Sequence, residues 1–258
     1  MERESSVIDH QSELLKQYSG AVAWAVDRAG VHSRLNLVPA AFTRNRRGPF
    51  QVHLTLYSDR QPDGETWVSP QGQFDKDLRL NLGEIFGGEF EGYVEVVATS
   101  PNQELRPQHY NEIWCDYYSD DGRIHLVMPT IQFYGSVKRT LSGQSQIWPG
   151  MMATDRFRPR LITINPYQEE IEFTLSAVSP TGESTQGQAL RLPAKTERRW
   201  DVEEIVPGLR AWLAPHAGIG NLLITSTHKM ICYFMLENVE TGTITGADHL
   251  AWFYGEEF

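Results

Sequence analysis

The sequence predicts an all-β protein built from two tandem antiparallel β-sandwich domains related by internal duplication, with a short N-terminal helix. Three observations carry this reading. Apolar and polar residues alternate, Val52, Leu54 and Leu56 against His53, Thr55 and Tyr57, and Ile171, Phe173 and Leu175 against Glu172, Thr174 and Ser176. A period of two, one face buried and one wet, belongs to antiparallel sheets. Turn signals separate the runs at Pro62-Asp63-Gly64, Asp120-Asp121-Gly122, Pro180-Thr181-Gly182 and Thr241-Gly242, residues that supply positive φ or bond their own backbone. Finally, the second half repeats the plan of the first at an offset of about 120 to 128 residues.

The repeat is visible as shared words. Arg34-Leu35-Asn36-Leu37 is answered by Arg160-Leu161-Ile162-Thr163-Ile164. Each half then carries a Glu-Ile pair (Glu84-Ile85, Glu204-Ile205), a Gly-led strand (Gly92, Gly220), a His-Leu pair (His125-Leu126, His249-Leu250) and a terminal Phe-Tyr-Gly (Phe133-Tyr134-Gly135, Phe253-Tyr254-Gly255). At 258 residues the chain suits two ordinary domains, each long enough to bury a core.

Along the chain, residues 1–20 form a helix or arm. Ser5 or Ser6 stands as N-cap, and Val7, Leu14, Leu15 and Tyr18 make a partial apolar face. Residues 21–135 form the first sandwich and 160–258 the second. Between them, residues 136–159 read as a packed linker: Ser142-Gly143-Gln144-Ser145-Gln146 is loop-like, whereas Trp148-Pro149-Gly150-Met151-Met152 is too apolar to lie free in solvent.

Two segments break the alternation. Met230 to Leu236 and Leu250 to Tyr254 are apolar on both faces, so the second face needs cover from another domain, another subunit or a ligand. This predicts a homo-oligomer with Tyr233, Phe234, Met235 and Trp252 at its interface.

Charge and chemistry narrow the function classes. A net charge of −10 works against non-specific nucleic-acid binding, and Arg44, Arg46 and Arg47 read as a solvated hairpin loop. No apolar run approaches the roughly 20 residues that span a bilayer, and no charged start leads into an apolar leader, which predicts a cytoplasmic protein. The two cysteines, Cys115 and Cys232, lie in matching strands and read as reduced, buried thiols.

His109, Glu112, Cys115, Asp116, Asp120, Asp121 and His125 are the densest set of possible ligands. Their spacing matches no zinc motif, and Asp120-Asp121-Gly122 is explained as a turn. His249, beside Asp248, repeats His125, so both read as structural histidines bonding a neighbouring strand. There is no Gly-x-Ser-x-Gly elbow, and Gly87-Gly88 and Gly218-Ile219-Gly220 lack the Gly-Lys-Ser/Thr ending of a phosphate loop. No catalytic residue, metal or cofactor is therefore expected. Trp67, Trp114, Trp148, Trp200, Trp212 and Trp252 are the best binding candidates, with Trp67, Trp148 and Trp212 as ligand platforms, weighed against the ordinary place of tryptophan in cores.

Ile162 to Pro166, Ile171 to Leu175, Leu192 to Thr196 and Val202 to Ile205 together resemble the strand plan of the sensory rhodopsin transducer family. The resemblance implies a cytoplasmic β-sandwich that assembles into a tetramer and acts by binding partners. It carries over no functional residue, and that family's members are single-domain. The reading reached is a non-enzymatic binding or assembly module forming a homo-oligomer, with a protein or carbohydrate partner. Its alternatives are a carbohydrate- or small-ligand-binding protein using exposed tryptophans, and a hydrolase whose carboxylate separation the sequence does not reveal.

Overall fold

The computed structural model describes residues 18–38, 51–69, 78–100, 103–105, 113–134, 144–226, 230–249 and 251–253. Most of the expected N-terminal helix, the Arg44 to Arg47 loop, His109 and Glu112 lie outside them. Strand β1 opens at Tyr18, a residue expected to end that helix.

The chain is all-β, its described residues forming three antiparallel sheets. The first half holds β1 (Tyr18–Arg28), β2 (Val31–Leu37), β3 (Gln51–Ser58), β4 (Glu65–Val68), β5 (Leu78–Asn81), β6 (Phe90–Ser100), β7 (Gln103–Leu105), β8 (Ile113–Ser119), β9 (His125–Pro129) and β10 (Ile131–Tyr134). One run pairs in the order β4-β3-β6-β1-β10 and another in the order β5-β2-β8-β9, with β7 added to β6. A short ladder at the β1–β2 turn, Asp27 with His32 and Arg28 with Val31, joins the two runs into one 10-stranded sheet.

The second half holds β11 (Gln144–Met152), β12 (Phe157–Asn165), β13 (Ile171–Val178), β14 (Gln188–Leu192), β15 (Thr196–Asp201), β16 (Ile219–Ser226), β17 (Ile231–Asn238), β18 (Thr243–His249) and β19 (Ala251–Phe253). They pair as β14-β13-β16-β11-β19 and β15-β12-β17-β18. Apart from β7 and the β1–β2 ladder, the order matches that of the first half strand for strand.

Each Glu-Ile pair lies in a single helical turn, α1 (Leu82–Phe86) and α2 (Val202–Ile205). Asn81 and Asp201 cap these turns, each side chain accepting from the amide two residues on. In register, Asn81 stands opposite Arg34 and Asp201 opposite Arg160, so the words seen in the sequence occupy matching places.

The expected linker is resolved differently. Gln144–Met152 is strand β11, paired with β16 and β19, so the strands of the second half begin before residue 160. Its register against β16 shifts between Trp148 and Met151. That irregularity, at Pro149-Gly150, breaks the alternation by which a strand is recognised.

Aromatic stacks tie strands of different runs. The Trp24 ring on β1 stacks on Tyr117 of β8 at 4.9 Å, and Trp148 on β11 stacks on Phe234 of β17 at 4.7 Å. Residues Met230 to Met235 are all buried. Phe234 faces Trp148, while the Tyr233 hydroxyl donates to the Val22 carbonyl (3.3 Å) and the Pro129 carbonyl (3.1 Å), both in the first half. The cover that this two-sided strand demands therefore comes from the same chain, Trp148 on one side and the first half on the other. Tyr233, Phe234 and Met235 lie inside one molecule, which removes the reason they gave for a second subunit. The side chain of Trp252 lies outside the described residues.

Cys115 and Cys232 are both buried thiols, and burial pushes the Cys115 thiol up to about 12. They occupy matching strands at different positions: Leu35 pairs with Cys115, whereas Leu161 pairs with Phe234. Both thiols should resist labelling in the native protein and react only on unfolding. Rapid modification of either before the unfolding transition, followed by mass spectrometry, would contradict the burial.

Candidate functional site

The halves differ most where the helical turn returns to the sheet. In the first half residues 87–89 lead from α1 to β6; in the second, residues 206–218 lead from α2 to β16. The added chain folds into α3 (Leu209–Leu213) and a 3-10 turn, Ala214–His216. Leu209 and Leu213, four residues apart, bury on one face, which leaves Trp212 half-buried beside them.

Trp212, Ile205 and Pro207 form one wall of a groove of about 600 Å³, and Thr185, Gln186 and Gln188, in and before β14, form another. Gln186 and Gln188 are exposed. No lining residue is ionisable, so the groove carries no formal charge. An aromatic wall beside amide groups that both donate and accept suits a neutral ligand rich in hydroxyls, because a charged one would lose hydration without a counter-ion.

A second cleft, about 430 Å³, lies between the halves and is strongly charged. Arg28, Asp59 and Glu91 come from the first half; Lys195, Glu197 and Arg199 come from the second. Lys195 pairs with Glu95 at 2.7 Å, although burial raises the Glu95 pKa against that attraction. Tyr57 is enclosed, with Tyr93 stacked at 5.1 Å and the Lys195 ammonium 4.7 Å from its ring centre. No single segment of sequence announces this cleft.

The other sequence candidates scatter. Trp67 and Trp148 are half-buried and pack on the core, Trp148 through its stack on Phe234, and neither joins Trp212. Trp200 is buried and donates to the Thr163 hydroxyl at 2.8 Å. Asp116 binds Arg34 at 2.8 Å, and Asp121 holds the β8–β9 turn through Ser119 and Arg123. Among the described residues no His, Cys, Asp and Glu cluster is arranged to hold a metal.

The histidine expectation needs correction. His125 is exposed at the start of β9, which pairs with β8. His249 ends β18 opposite Tyr233, so the two are not structural counterparts. A histidine held through both ring nitrogens is His32, which the sequence did not single out. Its Nδ1 lies 2.5 Å from Asp27 and its Nε2 lies 3.1 Å from Asp120. Partial burial lowers its pKa, but the bonds to Asp27 and Asp120 outweigh this and the net shift is upward.

No protein-family model matches the chain, and no curated protein matches it. Among solved structures the chain is similar to Bacteroides uniformis β-glucuronidase 2 covalently bound to cyclophellitol-6-carboxylate aziridine. That match has 10% identity and a TM-score of 0.21, and covers 93% of this chain and 27% of that one. A second Bacteroides uniformis β-glucuronidase structure has 12% identity and a TM-score of 0.20, with the same coverage. A β-glucuronidase from glycoside hydrolase family 2 has 9% identity and a TM-score of 0.17, covering 91% and 24%. The chain thus spans about a quarter of the length of these proteins, and at such TM-scores the likeness carries no argument. Among the described residues no helix is long and apolar enough to cross a membrane.

Proposed function

We propose that the protein is a non-enzymatic binding module, a duplicated pair of β-sandwiches in one chain, which takes a neutral carbohydrate in the Trp212 groove. The observation that carries this reading is the groove itself. Part of its lining, Val206, Pro207, Leu209 and Trp212, comes from residues 206–218, a segment with no counterpart of similar length in the first half. Added loops on a rigid scaffold are where binding residues concentrate. The matched strand order supports the duplication, and the resemblance to a partner-binding sandwich family agrees with a non-catalytic role. Two buried thiols fit a cytoplasmic address.

Titration of the intrinsic tryptophan fluorescence with a panel of neutral oligosaccharides tests the proposal. Binding should shift the emission, and Trp212→Ala should weaken it about tenfold, corresponding to about 1.4 kcal/mol, with the circular dichroism spectrum unchanged. A panel without a binder, or equal affinity in the variant, overturns the assignment.

A further inference from the structure

Among the described residues at the seam between the halves, the Glu197 carboxyl has a buried oxygen that takes no hydrogen bond. Strand β15 and the residue before it lay Lys195 to Arg199 along the first half. Lys195 binds Glu95. Arg28 pairs with Asp59 and lies 4.0 Å from Glu91, and Arg199 lies 3.6 Å from Glu91. Arg198 sits over the Trp200 ring at 3.9 Å. Glu197 has none of this: its Oε1 is buried and accepts no hydrogen bond. The charges acting on it are Glu91 and Asp59 of the first half and Arg199 of its own strand.

We propose that this seam is a proton-operated latch, which keeps β15 seated on the first half while Glu197 is protonated and loosens when Glu197 ionises. A neutral carboxyl can sit beside two carboxylates already shared among Arg28 and Arg199. An ionised one adds a third negative charge at a desolvated position.

Burial pushes the Glu197 carboxyl up to about 8; Glu91 and Asp59 add to the shift and Arg199 opposes it. In the unfolded chain the group ionises near its ordinary value of 4.5. Between those values the folded protein holds a proton that the unfolded chain has released, so stability falls as pH rises through this window and levels off above it. The cleft lies on this seam and should open on the alkaline side. The inference is independent of the Trp212 groove.

Hydrogen exchange of the full chain, read by mass spectrometry at pH 6 to 9.5 and corrected for the intrinsic exchange rate, tests the latch. Protection of residues 195–199 should fall at least tenfold in the wild type and stay level in Glu197→Gln, which keeps the size of the neutral acid. Glu91→Gln, which removes one facing charge, should move the midpoint to lower pH and serves as a second measure should Glu197→Gln fail to fold. Residues 161–164 give the internal baseline, and residues 31–33 report the separate titration of His32. Level wild-type protection, a parallel fall in Glu197→Gln, or an unmoved midpoint in Glu91→Gln overturns the latch.

Discussion

Phe234→Ala is expected to lower the free energy of unfolding by about 3 to 5 kcal/mol, the range for deleting a buried phenylalanine. Phe234 is 1% exposed and stacks on Trp148 at 4.7 Å with the rings 18° from parallel. Its removal leaves Trp148 facing a void. The site has little freedom to collapse, because β17 is held by β12 and β18 on its edges and by the first half through Tyr233. Equilibrium urea unfolding of wild type and variant measures the difference. A loss below about 1.5 kcal/mol, the scale of a well-tolerated swap, would mean that the two sheets of the second half are not packed as described.

Gly92→Ala is expected to cost about 3 kcal/mol or more, at the upper end of overpacking, and far more than Gly220→Ala. A Cβ on Gly92 would stand 2.0 Å from the Tyr57 carbonyl oxygen and 2.7 Å from the Ser58 Cα. Both are backbone atoms of β3, which is fixed between β4 and β6 and cannot withdraw without breaking a ladder. On Gly220 the nearest atom is Leu213 Cδ2 at 2.8 Å, the end of a side chain that can rotate, followed by the Val178 carbonyl oxygen at 3.1 Å. About 1 kcal/mol is expected there. Paired urea titrations compare the two, and equal losses would show that the close approach of β3 to β6 is misjudged.

These two glycines also show what a sequence can disclose. Their shared place at the head of a strand was legible as part of the repeat; what each one touches was not, because the contacts come from a neighbouring strand. Strands β3 and β13 were legible from strict alternation. Strand β11 was not, since Pro149-Gly150 sits where its register slips. The two apolar faces of β17 announced that something covers them, but not what: Trp148 lies on one face, and Val22 and Pro129, more than a hundred residues away, meet Tyr233 on the other. The Trp212 groove was half legible: the tryptophan stood out, whereas Gln186 and Gln188 are ordinary until the loop of residues 206–218 folds beside them. Asp59 and Glu91 meet at Arg28 within the first half, and only the closing of the two halves brings Glu197, from a third segment, beside them. His125 was misjudged because a repeated word does not guarantee a repeated register.

Within one chain, the burial of Tyr233 against the first half has a consequence for how the two halves can diverge. In a homodimer one patch meets a copy of itself, so each substitution is felt twice and must suit both sides of the symmetry axis. Tethered halves escape that constraint. Each sees the other at an effective concentration of the order of millimolar, so the contact needs little intrinsic affinity and each side can change alone. The matching strands carry that freedom: Asp116 on β8 stands opposite Arg34 and binds it, while the residue opposite Arg160 on β17 is Met235, and Arg160 turns instead to Asp201 and Glu237. Under the proposed duplication, one strand has kept a polar pairing and the other has become apolar on both faces, an asymmetry that a symmetric assembly would have forbidden.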